Sequence, residues 1–79
     1  MSITPLQSRM ARAALGWSID KLAEAADMRA ATISSFERGG ECYRSTVEKV
    51  QASLEAAGIV FVNDGEASLG GGAGVRLRE

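Results

Sequence analysis

The fold of this chain is decided by residues 18–40, which read SIDKLAEAADMRAATISSFERGG. The first half has the pattern of a short helix, because Ser18 is a typical N-cap residue. Three apolar residues recur on one face of that helix: Leu22, Ala23 and Ala26. Asp27 tolerates a left-handed turn, so we predict that the helix ends there after about two turns.

A second short helix is predicted after the tight connection formed by residues 27–29. Ile33 and Phe36 are three residues apart and share one face, and Gly39-Gly40 is a typical helix end. We expect this helix to span about residues 30–38. Its opposite face carries mostly alanine and serine, which leaves that face almost bare.

Two further helices flank this pair. Thr4 followed by Pro5 predicts the capped start of a first helix, and Gly16 predicts its end. We expect that helix to bury an apolar stripe: Leu6, Met10 and Ala14. A last helix is predicted to begin with a capping box over residues 45–48 and to end at Gly58. Its apolar residues line one face: Val47, Val50 and Leu54.

The chain then changes to β-branched and aromatic residues. Ile59-Val60-Phe61-Val62 predicts a strand that is apolar on both faces. After a turn signal at residues 63–65, the second strand is either 67–69 or 75–78. We favour the later strand, with the glycine-rich residues 70–74 as a flexible link.

These patterns predict a mainly α fold of four helices followed by a short C-terminal β-strand or hairpin. We expect a helical domain over residues 1–58 and a β extension over residues 59–79. A chain of 79 residues buries little surface, so association with a second copy would be a natural source of stability.

Composition argues against several classes of function. The chain has no histidine and one cysteine, Cys42, so it lacks the usual general base, an internal disulfide and a multi-cysteine metal site. The glycine run at 70–74 is not followed by the Lys-Ser/Thr of a phosphate-binding loop. No apolar run approaches the ~20 residues that span a bilayer. We therefore expect a cytoplasmic protein with no enzymatic activity, no cofactor and no membrane contact.

Several motifs agree with one known family. They are Gly16-Trp17-Ser18, Leu22-Ala23-Glu24, Thr32-Ile33 and Phe36-Glu37-Arg38-Gly39. Roughly residues 4–57 resemble the phage-repressor-type helix-turn-helix regulators, also called Xre-like or Cro-like. The ending, residues 56–61 and 74–78, is similar to that of small bacterial members.

The resemblance implies a transcriptional regulator, expected to be a repressor, that binds a palindromic double-stranded operator as a homodimer. Helix three would enter the major groove and helix two would cross the backbone, as in the phage repressors for which this docking is described. The residues placed nearest the bases are Arg29, Ala30, Ala31, Ser34 and Ser35. Arg29 is the strongest reader among them, because alanine offers only contact with a thymine methyl and serine discriminates weakly.

Phosphate contacts are implied by the same resemblance. The residues concerned are Ser18, Lys21, Thr32, Arg38, Tyr43, Arg44 and Ser45. Ile19 stands where the family often has a phosphate-binding glutamine and cannot make that contact, so we expect Lys21 to replace part of it. The resemblance also pairs Arg12 with Glu37, a pair that we assign to structure.

Dimerisation is expected to use the β extension. The residues assigned to that interface are Ile59, Val60, Phe61, Val62, Val75 and Leu77. They would pair across a two-fold axis or pack on the last helix of a partner, whereas the alternative is a hairpin within one chain. A second class of function also stays open. The net charge of −1 favours a protein-binding module, such as an antiactivator or antitoxin.

Overall fold

Four helices are followed by a two-stranded sheet in the computed structural model, which describes residues 2–62 and 74–78. The elements are α1 Pro5–Leu15, α2 Ile19–Ala26, α3 Ala30–Glu37, α4 Arg44–Ala56, β1 Ile59–Val62 and β2 Gly74–Leu77. The predicted mainly α plan is confirmed. The turn at 63–65, the alternative strand at 67–69 and the link at 70–73 lie outside the described residues.

The start of α1 is held by a reciprocal pair of hydrogen bonds. The Gln7 amide donates to the Thr4 hydroxyl at 3.1 Å, and the Thr4 amide donates to Gln7 Oε1 at 2.9 Å. This is a capping box with Pro5 at the first helical position. The helix ends at Gly16, whose φ of 70° is left-handed. The predicted start and end are confirmed, although Gln7 was not foreseen as the partner of Thr4.

The predicted buried face of α1 is wrong. Gln7, Ser8 and Ala11 are buried, whereas Leu6 is 52% exposed and Ala14 is exposed. The buried side meets polar groups of α3 and of the sheet, with which Gln7 and Ser8 form hydrogen bonds. Because a buried polar group needs a partner, this face carries polar side chains where spacing alone suggested apolar ones.

The central helix pair is as predicted. Ser18 caps α2 by accepting a hydrogen bond from the Lys21 amide at 3.0 Å, and Asp27 ends α2 with a left-handed φ of 55°. Arg29 occupies the cap position of α3 without a side-chain hydrogen bond to the helix. Packing against the core then fixes the angle between the helices through five buried residues: Leu22, Ala23, Ala26, Ile33 and Phe36.

The predicted capping box of α4 is wrong. The helix begins at Arg44, its cap position is Tyr43, and the Tyr43 side chain makes no capping hydrogen bond. Ser45 is therefore already helical and cannot take the extended backbone that a capping residue needs. The predicted buried face is confirmed: Val47, Val50 and Leu54.

Strands β1 and β2 pair antiparallel within one chain. The register places Ile59 opposite Leu77 and Phe61 opposite Val75. The later of the two possible second strands and the intramolecular pairing are therefore the observed ones. Ile59 is buried in the core of its own chain, so its side chain is unavailable to a partner. Leu77 is 48% exposed.

One hydrophobic core joins all of these elements. Its largest apolar members are Ile33, Phe36, Leu22, Leu54 and Ile59. Trp17 and Met28 pack against it. Within residues 2–62 and 74–78, no helix has the length and apolar character needed to cross a membrane.

Candidate nucleic-acid interface

The outer side of α3 is the surface on which the predicted base contacts lie. Arg29 and Ala31 are exposed, and Ser34 and Ser35 are half-buried. Ala30 is also half-buried, because it packs against the core, so it offers less surface than predicted. This side of the helix presents short side chains after a single arginine.

A recess lies beside this side of α3. Its walls come from the helix and from the segment that leads into α4: Arg29, Ala31, Thr32, Ser35, Glu41, Cys42, Tyr43 and Thr46. Sequence patterns did not identify Glu41, Cys42 or Thr46 as neighbours of the predicted base contacts. Their only signal was proximity in the chain to the end of α3, since a loop has no periodicity from which its path can be read.

Gly40 brings the loop close to α3. Its amide donates to the Ser35 carbonyl at 2.9 Å. A Cβ at Gly40 would lie 2.6 Å from Ser35 Oγ and 2.9 Å from the Ser35 carbonyl oxygen, both closer than real Cβ contacts. Only glycine therefore allows this close approach of the loop to α3.

Arg38 is linked to one of the predicted base contacts. Its Nη1 donates to Ser34 Oγ at 2.6 Å across one turn of helix, at an exposed position. Arg9 also reaches the end of α3, where its Nη1 donates to the Glu37 carbonyl at 2.8 Å. Arginine at a helix C-terminus interacts favourably with the partial negative charge there.

The pairing of Arg12 with Glu37 is confirmed. Arg12 Nη2 lies 2.7 Å from Glu37 Oε1 and Arg12 Nε lies 2.9 Å from Oε2, while the Ser8 hydroxyl donates to Oε2 at 2.6 Å. The pKa of the Arg12 guanidinium is raised, chiefly because it hydrogen-bonds the Glu37 carboxylate. Attraction to that carboxylate adds to the rise and burial opposes it. The pair fixes α3 on α1, so its role is structural.

Two predicted phosphate contacts on α2 already have partners in the protein. The Ser18 hydroxyl is used by the helix cap. Lys21 Nζ lies 5.8 Å from the centre of the Trp17 ring and 3.4 Å from Glu24 Oε1. Both Lys21 and Glu24 are well exposed, so their ion pair is weak and leaves Lys21 free to turn towards another anion.

The start of α4 presents the remaining predicted contacts. Tyr43 is 82% exposed, and Arg44 and Ser45 are also exposed. Thr32 is half-buried in the wall of the recess. Arg29 and Arg44 are both exposed and each adds a positive charge, whereas Glu41, which lines the recess with Arg29, adds a negative one.

A family model described as helix-turn-helix, HTH_3, matches residues 9–56. The chain belongs to this helix-turn-helix family. The match begins within α1 and extends through α4, so it contains both short helices, the loop and the Arg12–Glu37 pair. Comparison with curated protein sequences found no significant match.

The helix-turn-helix family makes this protein a DNA-binding transcription regulator of the phage-repressor type. The hairpin of β1 and β2 lies outside the matched residues. The helix-turn-helix protein therefore combines a family domain with an additional β element.

Proposed function

We propose that this regulator represses transcription by binding a palindromic operator as a homodimer, with α3 in the major groove. The observation that carries the proposal is the exposed side of α3, with Arg29 at its start and no side chain capping the first amides. Uncapped amides at a helix start and an arginine beside them both favour the approach of a phosphate or a base edge.

Base readout is assigned to a few residues of α3. Arg29 can donate two hydrogen bonds to a guanine, and Ala31 can contact a thymine methyl group. Ser34 and Ser35 add hydrogen bonds of low discrimination. Because direct readout is sparse, sequence-dependent DNA shape and the doubling of the half-site would supply much of the specificity.

Phosphate binding is assigned to both sides of α3. Ser18 and Lys21 would contact one DNA strand from α2, and Tyr43, Arg44 and Ser45 would contact the other from the start of α4. Thr32 and Arg38 would contribute from α3 itself. These contacts set orientation and affinity and carry little sequence information.

The homodimer is assigned to the hairpin. Val60, Phe61, Val62 and Val75 are half-buried and Leu77 is about half-exposed, so apolar surface remains on this element. Ile59 contributes only by supporting the strand from inside. A two-fold dimer of this class places its recognition helices about 34–36 Å apart, which predicts a palindromic site.

Selection of bound fragments from random double-stranded DNA tests the proposal. We expect enrichment of a palindrome, and a log–log salt slope of about −0.9 for each phosphate neutralised. Arg29→Ala should relax the preference at one base of each half-site, whereas Arg44→Ala should weaken all sequences alike. No enrichment and no salt dependence would contradict the proposal and would favour the protein-binding alternative.

A further inference from the structure

Gln7 joins α1 to both strands of the hairpin. Its Nε2 donates to the Val62 carbonyl at 3.1 Å and to the Gly74 carbonyl at 3.2 Å. Val62 and Gly74 are opposite each other in the register and form the last described pair before residues 63–73. A buried side chain of α1 therefore holds the far end of the hairpin.

The near end of the hairpin is held separately by α4 and the turn after it. The Arg78 amide donates to the Gly58 carbonyl at 2.6 Å, and Arg78 Nη2 donates to the Glu55 carbonyl at 2.6 Å. A two-stranded hairpin alone is at best marginally stable in water. Its orientation on the domain therefore depends on these attachments and on its packed face.

The residues that follow Gln7 attach α1 to the recognition helix. Ser8 donates to the Glu37 carboxylate, Arg9 donates to the Glu37 carbonyl, and Arg12 completes the ion pair. These residues lie within less than two turns of α1. Gln7 contacts the hairpin, whereas Ser8, Arg9 and Arg12 contact the end of α3. We define Gln7, Ser8, Arg9 and Arg12 as the α1 bracket.

We infer that the α1 bracket sets the distance and angle between the hairpin and α3, and thereby the half-site spacing that a dimer accepts. This inference rests on the proposed homodimer. Each added base pair moves one half-site by about 3.4 Å and rotates it by about 35° around the DNA axis. A dimer can reject such a site only if its recognition helices are rigidly attached to its interface. Gln7 is a positioning residue, since it makes its contacts within the protein.

The test compares operators in which the spacing between two identical half-sites varies. The Gln7→Met variant keeps a side chain of similar length but removes both donors to the hairpin. Gln7→Glu is the second variant, because it keeps an acceptor for the Thr4 amide and loses the amide donors. Thr4→Ala is the matched control, since it breaks the capping box and leaves the Gln7 donors in place.

We expect the native chain to prefer one spacing and both Gln7 variants to lose roughly 5- to 10-fold of that preference, a typical size for coupling between two sites. Their affinity for a single half-site should stay within about twofold of the native value. Thr4→Ala should keep the spacing preference. Loss of the spacing preference in both Gln7 variants would support the need for the amide donors.

Three outcomes would overturn the inference, and they are distinguishable. If the native chain is dimeric and its spacing preference is unchanged in Gln7→Glu and Gln7→Met, the inference is overturned and the homodimer proposal is left intact. Equal loss of half-site and full-operator binding would reduce Gln7 to a general structural role. A monomeric native chain, measured by sedimentation, would overturn the homodimer proposal and the inference with it.

Discussion

Arg12 and Glu37 form a two-pronged ion pair that joins α1 to the last turn of α3. The Glu37 side chain is only 4% exposed and that of Arg12 is 18% exposed. A buried carboxylate is costly unless its oxygens are bonded, and here Arg12 and Ser8 supply the donors. The orientation of α3 thus depends on a contact between side chains within the protein.

Arg12→Ala should therefore be a folding defect that resembles a loss of function. Removing one partner of a buried pair costs about 3–5 kcal/mol, and we expect the lower end because Arg12 retains some exposure. Urea unfolding measures this loss. Arg9→Ala is the control, since Arg9 is exposed and bonds the Glu37 backbone carbonyl instead of the Glu37 carboxylate. Similar losses in both variants would show that the ion pair has no special role.

Ser18 offers a way to separate helix capping from phosphate binding. Ser18→Ala should lower the free energy of unfolding by about 1 kcal/mol, because the Lys21 amide loses its acceptor. Ser18→Asp should keep the cap, since a carboxylate also accepts that hydrogen bond and suits a helix start. If Ser18 lies beside a phosphate, the aspartate variant should be as stable as the native chain and yet bind DNA more weakly. Unchanged affinity in fluorescence anisotropy would remove Ser18 from the phosphate contacts.

Gly40 should be intolerant of a side chain. Gly40→Ala places a methyl group against the Ser35 backbone, so we expect a loss of about 1–3 kcal/mol, typical of overpacking. The loop must also move away from α3, which should weaken DNA binding in a titration beyond the loss of stability. Gly74→Ala is the matched control, because its Cβ would meet no atom of the described residues within 4 Å. Equal tolerance at both glycines would contradict the close approach of the loop.

Leu77 tests whether the hairpin forms the dimer. Leu77→Asp places a charge on the proposed interface, and because Leu77 is 48% exposed the monomer should still fold. We expect the variant to be monomeric by sedimentation and to lose preference for a palindrome over a half-site. Leu6→Asp is a control of similar exposure, 52%, on α1. If Leu77→Asp remains dimeric, or if only Leu6→Asp is monomeric, the hairpin does not form the dimer interface.

The helices were predictable because their signals are local. Ser18, Asp27 and Gly16 act on neighbouring backbone groups, so their caps and turns could be identified without knowledge of any distant residue. The start of α4 was misplaced because a capping box at Ser45 is compatible with the sequence but competes with a helix that begins at Arg44. Packing of Val47 and Val50 does not distinguish the two starts.

The candidate site was predictable only in part. The order of residues along α3 identified its exposed side, and family resemblance supplied its role. The approach of Glu41, Cys42 and Thr46 to that side depends on the path of the loop across Gly40. Likewise, the bond between Arg38 and Ser34 depends on a rotamer that sequence spacing permits but does not require.

By itself, the sequence determined the helix-turn-helix unit, its core residues and the presence of a strand, since periodicity and capping residues act over a few positions. Only the tertiary structure decided which face of α1 is buried. Gln7 and Ser8 occupy that face because their partners, the Val62 and Gly74 carbonyls and the Glu37 carboxylate, come from distant parts of the chain. Burial of a polar side chain becomes favourable only when such partners are in place, and no local pattern contains that information.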